Sequence, residues 1–559
     1  MSGVGTNRLG GLWPVAAVAV SLVVVVPVAV VIASTLRSSD GDWAHLSSTR
    51  LPVYAWNTSI LAVTVCVAAA VIGTGTAWLV NACDFPGRRL LRWGLLLPLA
   101  IPGYLAAYAY TDLLQVSGPV QSTVRAWLGL SVADGWLLRV RSLPGAAAVL
   151  AITLYPYVYL AASAAFAEQS GRAFEVSRSL GRGPWRSFFS VALPLARPSI
   201  AAGTALVLME TLADFGAVDY CAVDTFATGV YRAWRSLESP TAAAQLAALL
   251  LAIVIVVLIV EWWTRRRART FAKESAEAMH RLRLGPIAAA AAIAACATPI
   301  LAGFVVPAGV FVTLAASALD SDAMSLAWEA GWRSIAVAAT GASVAVVLAL
   351  TLQYAARWRP GTATRGASAA CRLGYALPGT VVGVGLLIPL TSMDHALNGV
   401  LRQAFGWQPG LVLTGTVAAV VIGYQTRFLA VALAMVAPGL ERIRPAMDDA
   451  ARTLGTSGAR LIARVHLPLM RGSLMAALLL VFVECVKELP ATLMLRPFNF
   501  DTLAVRAYQL ASDERLDEAS IAALAIIAIG TLPTALLAAA LSRSRGRFRG
   551  IRQRLEGNA

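Results

Sequence analysis

Long apolar runs separated by short polar segments recur along the whole chain. A helix needs about 20 apolar residues to cross the ~30 Å hydrocarbon layer of a bilayer. Twelve runs meet this length, near 13–35, 58–82, 91–114, 146–167, 196–220, 242–263, 285–318, 332–356, 372–391, 411–437, 470–496 and 518–542. The seventh run is too long for one simple span, so we expect it to tilt or to end in a turn at Pro307. The pattern predicts an all-α polytopic membrane protein with about 12 transmembrane helices.

The composition supports this class. Of the 559 residues, 58% are hydrophobic and 14% are charged, against about 45–50% and 25% in soluble proteins. These figures exclude a soluble fold, a disordered chain and a disulfide scaffold. The first run is a retained helix rather than a cleaved signal, because its apolar core is long and no A-x-A site follows it. The six Cys lack metal-ligand spacing and the chain has four His, so we expect no metal site and no cofactor on this chain.

The basic residues predict the orientation in the membrane. If the N-terminus is cytoplasmic, the inside segments hold 32 of the 46 Lys and Arg and the outside segments hold 12. Loops with more Lys and Arg stay in the cytoplasm, which places both termini there. Topology and anionic lipids then explain the net charge of +16 without a nucleic-acid partner. Because no loop is long enough for a soluble catalytic domain, we expect no enzyme activity and no catalytic residues on this chain.

The chain contains an internal duplication. Residues 175–194 and 449–468 match at an offset of 274, and the match continues into the next span. One repeat contains six spans, so the two halves run parallel and both matched loops face the cytoplasm. The predicted divisions are 1–57 (N-terminal helix and outer loop), 58–263 (first transmembrane domain), 264–331 (basic cytoplasmic linker and an extra helix), 332–541 (second transmembrane domain) and 542–559 (basic cytoplasmic tail).

Each matched loop has a recognisable local pattern. An acidic start, a Gly six residues later and a final Leu-Pro predict two short helices with a glycine turn between them, and the Pro should open the next membrane helix. Between Gly and Pro, apolar residues alternate with Arg. Such a face fits the groove of a partner protein or the lipid interface. Its occurrence at the same register in both halves favours docking sites.

This spacing resembles the pattern E-A-A-x3-G-x9-I-x-L-P of permease subunits of ATP-binding cassette importers. The first loop has Val-Ser in place of Ala-Ala, and both loops have Val in place of Ile. The resemblance implies a type I importer fold in the inner membrane, two copies of a separate ATPase seated on the two loops, and an extracytoplasmic substrate-binding protein. It assigns ATPase coupling to Glu175, Val176, Ser177, Gly181, Leu193, Pro194, Asp449, Ala450, Ala451, Gly455, Leu467 and Pro468.

A finer resemblance concerns the substrate. The segments METLADFGAVDY (209–220), TGVYRAW (228–234) and VKELPATLMLRPFNFDTLAVRAYQLASDERL (486–516) are similar to those of two-domain ferric-iron permeases. Thiamine or another small solute remains an alternative substrate, because thiamine permeases share the fused architecture.

ATP must act through another chain, because Lys273 and Lys487 are each followed by Glu, whereas a Walker A loop needs Ser or Thr there. Rival interpretations from other classes are a secondary transporter with twelve spans and a channel.

Five ionisable residues fall at span depth in matching places. An ionised side chain costs roughly 2.5–3.5 kcal/mol near a helix centre, so we expect none of them to face lipid. One hypothesis makes them the outer mouth of a translocation pathway, since hard cations prefer oxygen ligands; the other makes them ion pairs and helix contacts. Tyr155 and Tyr424 either line the same pathway or pack against neighbouring helices. The five residues are Glu210, Asp214, Glu484, Lys487 and Glu488.

Overall fold

The structure, a computed structural model, describes residues 7–36, 42–129, 139–168, 177, 183–268, 281–318, 321–456 and 458–532. Within these ranges, ten helices are long and apolar enough to cross a bilayer, or eleven if one bent pair counts as a span. The last predicted span, 518–542, is helical over its described part, up to residue 532. The all-α class predicted from hydropathy is confirmed.

The helices are numbered in chain order. Those before the midpoint of the chain are α1 (Asn7–Ser34), α2 (Asp42–Thr49), α3 (Leu51–Ala82), α4 (Arg88–Gly94), α5 (Gly103–Leu114), α6 (Pro119–Leu128), α7 (Leu143–Glu168), α8 (Pro184–Ser187), α9 (Leu193–Ala213), α10 (Gly216–Tyr220), α11 (Phe226–Arg235) and α12 (Pro240–Ala268). Two-residue strands β1 (Cys83–Asp84) and β2 (Leu282–Arg283) pair in parallel.

The remaining helices follow the same numbering. They are α13 (Pro286–Ile300), α14 (Val306–Ser317), α15 (Ser321–Trp358), α16 (Thr362–Leu373), α17 (Gly379–Phe405), α18 (Val417–Glu441), α19 (Pro445–Thr453), α20 (Gly458–Leu461), α21 (Leu467–Lys487), α22 (Pro490–Leu495), α23 (Leu503–Ser512) and α24 (residues 516–532).

The third and ninth predicted spans are interrupted in the same way. In the third, Arg88–Ala100 and Gly103–Leu128 meet at an angle of 93°, because Ile101 and Pro102 adopt extended conformations. In the ninth, Leu377 and Pro378 are extended just before α17 begins. A proline disfavours the helical conformation of the residue before it, and an apolar run does not reveal such a break. The third span is therefore a bent pair of helices, and the long helix of the ninth begins at Gly379 rather than near residue 372.

Three other prolines leave their helices continuous. A five-residue π-helical segment ends two residues before each of Pro194, Pro307 and Pro468. In each case the residue before Pro donates its N–H to a carbonyl five residues back instead of four. The wider turn accommodates the ring and the missing N–H of proline.

This geometry corrects two expectations about those prolines. The helix of the seventh span continues through Pro307 from Pro286 to Ser317, so no turn lies there. Pro194 and Pro468 do not open their membrane helices, because those helices already begin at α8 and α20.

The chain divides into two compact units that do not follow chain order. One contains the described residues of Met1–Arg50, Gly229–Leu251 and Met324–Ala507; in it α1 packs on α16, α17 and α18. The other contains those of Leu51–Thr228, Ala252–Ala323 and Tyr508–Ala559; in it α13 packs on α3 and α4, and α14 on α5. Each unit has a central helix bundle, α18 with α21 in the first and α3 with α7 and α9 in the second.

Candidate functional site

The second repeated loop contains the expected glycine turn. α19 begins with Pro445 in its first turn, where the missing N–H of proline is tolerated. After α19, the N–H of Gly455 donates to the Arg452 carbonyl at 3.0 Å and the N–H of Thr456 to the Ala451 carbonyl at 2.9 Å. These are the two bonds of a Schellman turn. The φ angle of Gly455 is +79°, a conformation that strains residues with a Cβ.

A buried polar cluster holds α19 against the rest of its unit. Asp448 accepts hydrogen bonds from Arg357 Nη2 on Oδ2 at 2.9 Å and lies 2.9 Å from His466 Nε2 on Oδ1. The other ring nitrogen of His466 is 3.1 Å from the Tyr354 hydroxyl, and the two rings stack. We call Tyr354, Arg357, Asp448 and His466 the polar clasp.

The clasp also secures the chain that leads into α19. Arg357 donates to the carbonyl oxygens of Leu440 and Ile443 at 3.2 and 3.0 Å. Burial alone would raise the pKa of Asp448, but hydrogen bonds from Arg357 and His466 hold it below its ordinary value. Asp448 is therefore ionised at neutral pH, and α19 is anchored by charge-assisted bonds.

Much of the remaining surface of α19 and of the residue that follows it is exposed. Leu454 is 84% exposed and Met447 is 40% exposed, whereas Ala451 is buried on the side of Asp448. Asp449 and Arg452 form an exposed ion pair at 3.0 Å, and Ala450 is also exposed. Leu461, in the segment that we expected to carry the exposed apolar face, is buried. The apolar residues open to a partner in this loop therefore include Met447 and Leu454 of the α19 region.

The first repeated loop is held by aromatic rings instead. Of the residues assigned to it, Glu175, Val176 and Gly181 lie outside the described residues, whereas Ser177, Leu193 and Pro194 lie within them. The ring of Phe188 packs on Trp78 and Phe166, with centroids 4.9 and 6.3 Å apart.

Hydroxyls and exposed rings complete the described part of this loop. The hydroxyl oxygens of Ser177 and Ser187 are 2.9 Å apart. Trp185 and Phe189 are each 63% exposed. This loop therefore also offers apolar side chains to a partner, and they come from the segment that the sequence indicated.

The acidic residues at span depth lie where the helices break. α9 ends at Ala213, and Asp214 is already extended, so Glu210 and Asp214 do not lie on one helix face, although they are four residues apart. Oδ1 of Asp214 accepts the N–H groups of Ala217 and Val218 at 3.0 and 3.2 Å, which caps α10.

Glu488 occupies the matching place after α21. It is extended, and its Oε1 accepts the Ala491 N–H at 3.1 Å at the start of α22. Unlike Asp214, it also forms a buried ion pair, with Arg427 of α18. Glu484 and Lys487 lie on α21 and are partly exposed.

Both carboxylates also lie beside the restart of a broken span. A Cβ added to Gly103 at the start of α5 would come 3.2 Å from Oδ2 of Asp214, and one on Gly379 at the start of α17 would come 2.6 Å from Oε1 of Glu488. A carboxylate at a helix N-terminus is favoured by the helix dipole. For Asp214 and Glu488 the geometry favours the structural alternative.

The chain matches a known protein family over two ranges. The family model described as "Binding-protein-dependent transport system inner membrane component" matches residues 15–271 and, a second time, residues 345–547. The chain belongs to this family. Its permease repeat is thus present twice, and the chain is a multi-pass inner membrane protein of a transport system.

The names of three relatives refer to the transport of three different solutes. The Fe(3+)-transport system permease protein of Haemophilus influenzae is 24% identical over 488 residues, which is 86% of this chain and 88% of the relative. The molybdenum transport system permease protein of Escherichia coli is 33% identical over 25% of this chain and 58% of the relative. The sulfate transport system permease protein of the same organism is 28% identical over 36% of this chain and 71% of the relative. Their names describe permeases and not enzymes.

Sequence reasoning missed two buried charged residues that join parts of the structure. Asp448, the anchor of the second loop, was passed over because the motif begins one residue later, at Asp449. Arg427 lies inside the tenth predicted span, and its partner Glu488 is 61 residues away in the chain. A charged residue inside an apolar span was the available signal, since it requires a counter-charge.

Tyr155 and Tyr424 form hydrogen bonds within their own units. The Tyr155 hydroxyl donates to the Leu95 carbonyl at 3.0 Å, and the Tyr424 hydroxyl is 2.9 Å from that of Thr492. Buried tyrosines commonly find such partners. This geometry favours packing over a role in a pathway.

Proposed function

We propose that this permease forms the membrane pathway of an ATP-driven importer and that its two loops receive two copies of a separate ATPase. The observation that carries the proposal is the α19 region, which is anchored by the buried Asp448 and presents Met447 and Leu454 outward. An exposed apolar helix face on a rigid anchor is suited to a partner's groove. Family membership supports the same conclusion.

The proposed orientation places both loops and both termini in the cytoplasm. ATP binding would draw the two ATPase copies together, and the loops would transmit that movement to the helices. Such coupling requires that the ATPase bind two states of the permease with different affinity. A substrate-binding protein would deliver the solute on the other side of the membrane.

We propose ferric iron as the substrate. The relative named for Fe(3+) transport aligns with 86% of this chain, whereas the relatives named for molybdenum and sulfate align with 25% and 36%. Of the acidic residues singled out from the sequence, Glu210 and Glu484 remain candidates for the pathway, because Asp214 and Glu488 cap helices. Lys487, the neighbour of Glu488 in the chain, also remains a candidate for the pathway.

One reconstitution tests the transport class. The permease is placed in vesicles with its ATPase and binding protein, and uptake is measured with ATP inside or with a proton or sodium gradient alone. We expect uptake only with ATP. Uptake driven by a gradient in the absence of the ATPase would instead establish a secondary transporter.

A matched pair of substitutions tests the docking surface. Leu454→Asp should abolish co-purification of the ATPase, because it puts a charge into the apolar contact. Leu237→Asp is the control, since Leu237 is 50% exposed in a loop that we place on the other side. Equal ATPase binding by the two variants would contradict the proposed docking surface.

A further inference from the structure

One face of α5 carries a row of hydroxyl groups. Tyr104, Tyr108 and Thr111 follow one another at i, i+4 and i+7, which places them on the same side of the helix. α5 packs against α10, where the Tyr108 ring meets the ring of Tyr220 edge-on with centroids 4.4 Å apart. The Tyr104 ring is 5.7 Å from that of Tyr108.

α10 and α23 add a carboxylate and another phenol. The Tyr508 hydroxyl donates to Oδ2 of Asp219 at 2.8 Å. Tyr104, Tyr220, Tyr508 and Asp219 are all near enough to Tyr108 to interact with it electrostatically. We call these five residues, which belong to one compact unit, the tyrosine–aspartate cluster. Asp219 and Tyr508 are partly exposed, so the cluster is accessible from their side.

Two hydroxyls on this face have no partner among the described residues. Tyr108 is completely buried and Thr111 is 5% exposed, yet neither hydroxyl oxygen has a hydrogen-bond partner there. A buried polar atom without a partner costs free energy, so it calls for an explanation such as a bound ion or water. In this permease the two atoms point to a polar ligand.

The second half shows that the fold does not need polar side chains at three of these positions. By the register of Gly103 with Gly379, Tyr108 corresponds to Val384. By the register of Asp214 with Glu488, Asp219 and Tyr220 correspond to Leu493 and Met494. All three apolar residues are buried. The same architecture is therefore stable with apolar side chains at these three positions, so we infer that Tyr108, Asp219 and Tyr220 serve another purpose in the first half.

The charge in the cluster favours a cation over an anion. Asp219 is part of it, and Asp112 lies near enough to Tyr220 to interact electrostatically. The guanidinium of Arg141 lies over the Tyr220 ring at 4.9 Å and interacts with its hydroxyl, but the Arg141 side chain is 46% exposed and lies 3.8 Å from Glu514. An oxyanion would meet the carboxylate of Asp219, whereas a hard cation would be bound by oxygen atoms throughout.

We propose that the tyrosine–aspartate cluster is a transient binding site for a hard trivalent cation, ferric iron, on its way through the permease. This inference rests on the proposed function. Each phenol that binds the ion as phenolate releases its proton to water and takes one back when the ion leaves, while Asp219 binds as the carboxylate. No oxidation or reduction is involved.

The test measures iron binding and transport separately. Purified full-length permease is titrated with ferric nitrilotriacetate, and the phenolate-to-iron charge-transfer band is followed in visible light. The complete importer is then assayed for ATP-driven iron uptake. We expect Tyr108→Phe and Asp219→Asn to lower iron affinity and low-iron uptake by at least about tenfold, the smaller end of the loss seen when a metal site is altered.

Stability and a control on the same helix separate binding from structure. Tyr108→Phe should leave the melting temperature unchanged or raise it, since it removes a buried hydroxyl without a partner. Tyr110→Phe should keep iron affinity, because the Tyr110 hydroxyl donates to the Ala302 carbonyl outside the cluster.

The possible outcomes distinguish this site from the importer proposal. Wild-type iron affinity and uptake in both Tyr108→Phe and Asp219→Asn would overturn the site while leaving an ATP-driven iron importer intact. ATP-driven uptake of molybdate or sulfate, but not of iron, by the wild-type complex would overturn both the proposed substrate and the cation site.

Discussion

The two halves of this permease have the same backbone geometry at matching positions, but different side chains stabilise it. At the second loop the polar clasp, in which Arg357 and His466 contact Asp448, anchors α19. At the same register the first half has Phe174 in place of Asp448 and Ala192 in place of His466, and its loop is packed on aromatic rings. The π-helical segment before proline is common to both.

The same contrast recurs where the membrane helices break. Glu488 is paired with Arg427, whereas the position that matches Arg427 is Thr153. Among the described residues, no cation is within ion-pair distance of Asp214, which bonds to backbone N–H groups. Duplication therefore preserved the backbone geometry, which depends on proline and glycine, while the charges that stabilise it diverged.

The largest effect is expected from Arg427→Met. It leaves the buried Glu488 without its counter-charge, which typically costs about 3–5 kcal/mol of stability. The control is Thr153→Val, which removes one local hydrogen bond worth about 1 kcal/mol. Thermal unfolding of the purified permease in nanodiscs measures both. Similar losses in the two variants would remove the asymmetry between the halves.

A smaller loss is expected from Arg357→Met in the clasp. The variant loses charge-assisted hydrogen bonds to Asp448 worth about 1.5–3 kcal/mol and should bind the ATPase more weakly. The double variant Arg357→Met with Asp448→Leu should recover part of the stability, because no buried charge is left without a counter-charge. If the double variant loses more stability than the two single variants together, Arg357 and Asp448 do not act as an ion pair.

Gly455→Ala should cost about 1–2 kcal/mol, because a Cβ opposes the left-handed conformation at this turn. Gly472→Ala is the control, since a Cβ there has open space on α21 and alanine favours helix. If the loops share the turn, Gly181→Ala should resemble Gly455→Ala. Thermal unfolding and ATPase co-purification measure the result, and a neutral Gly455→Ala would argue against the turn.

The smallest expected effect is a loss of stability at acidic pH. Because the pKa of Asp448 in the folded state is below the ordinary value of 3.8, its contribution to stability is complete above pH 3.8 and is lost as the pH falls through the lowered pKa. The difference in melting temperature between wild type and Asp448→Asn should therefore shrink only below that pH. A difference that shrinks between pH 7 and 5 would contradict the assignment to Asp448.

Hydropathy predicted the helices well, because a helix in lipid must be apolar over its whole length. It could not predict the breaks at Pro102 and Pro378, since the apolar run continues through them. Packing across distant parts of the chain was equally hidden: nothing in the local pattern of α1 indicates that it packs on α16 and α17.

The candidate sites show the same limit. The spacing of the repeated loops located the turn at Gly455, because glycine and proline leave local signals. The residues that hold the second loop come from elsewhere, since Arg357 is 91 residues from Asp448. The tyrosine–aspartate cluster joins α5, α10 and α23 and has no local motif.

The central claim is that the exposed side of the α19 region receives the ATPase, and site-specific photocrosslinking tests it most directly. A photoreactive amino acid is placed at position 454 or, as the control, at position 237, in a complex that hydrolyses ATP. We expect a crosslink to the ATPase from position 454 and none from position 237. An active complex that gives no crosslink from 454, or equal crosslinking from both positions, would contradict it.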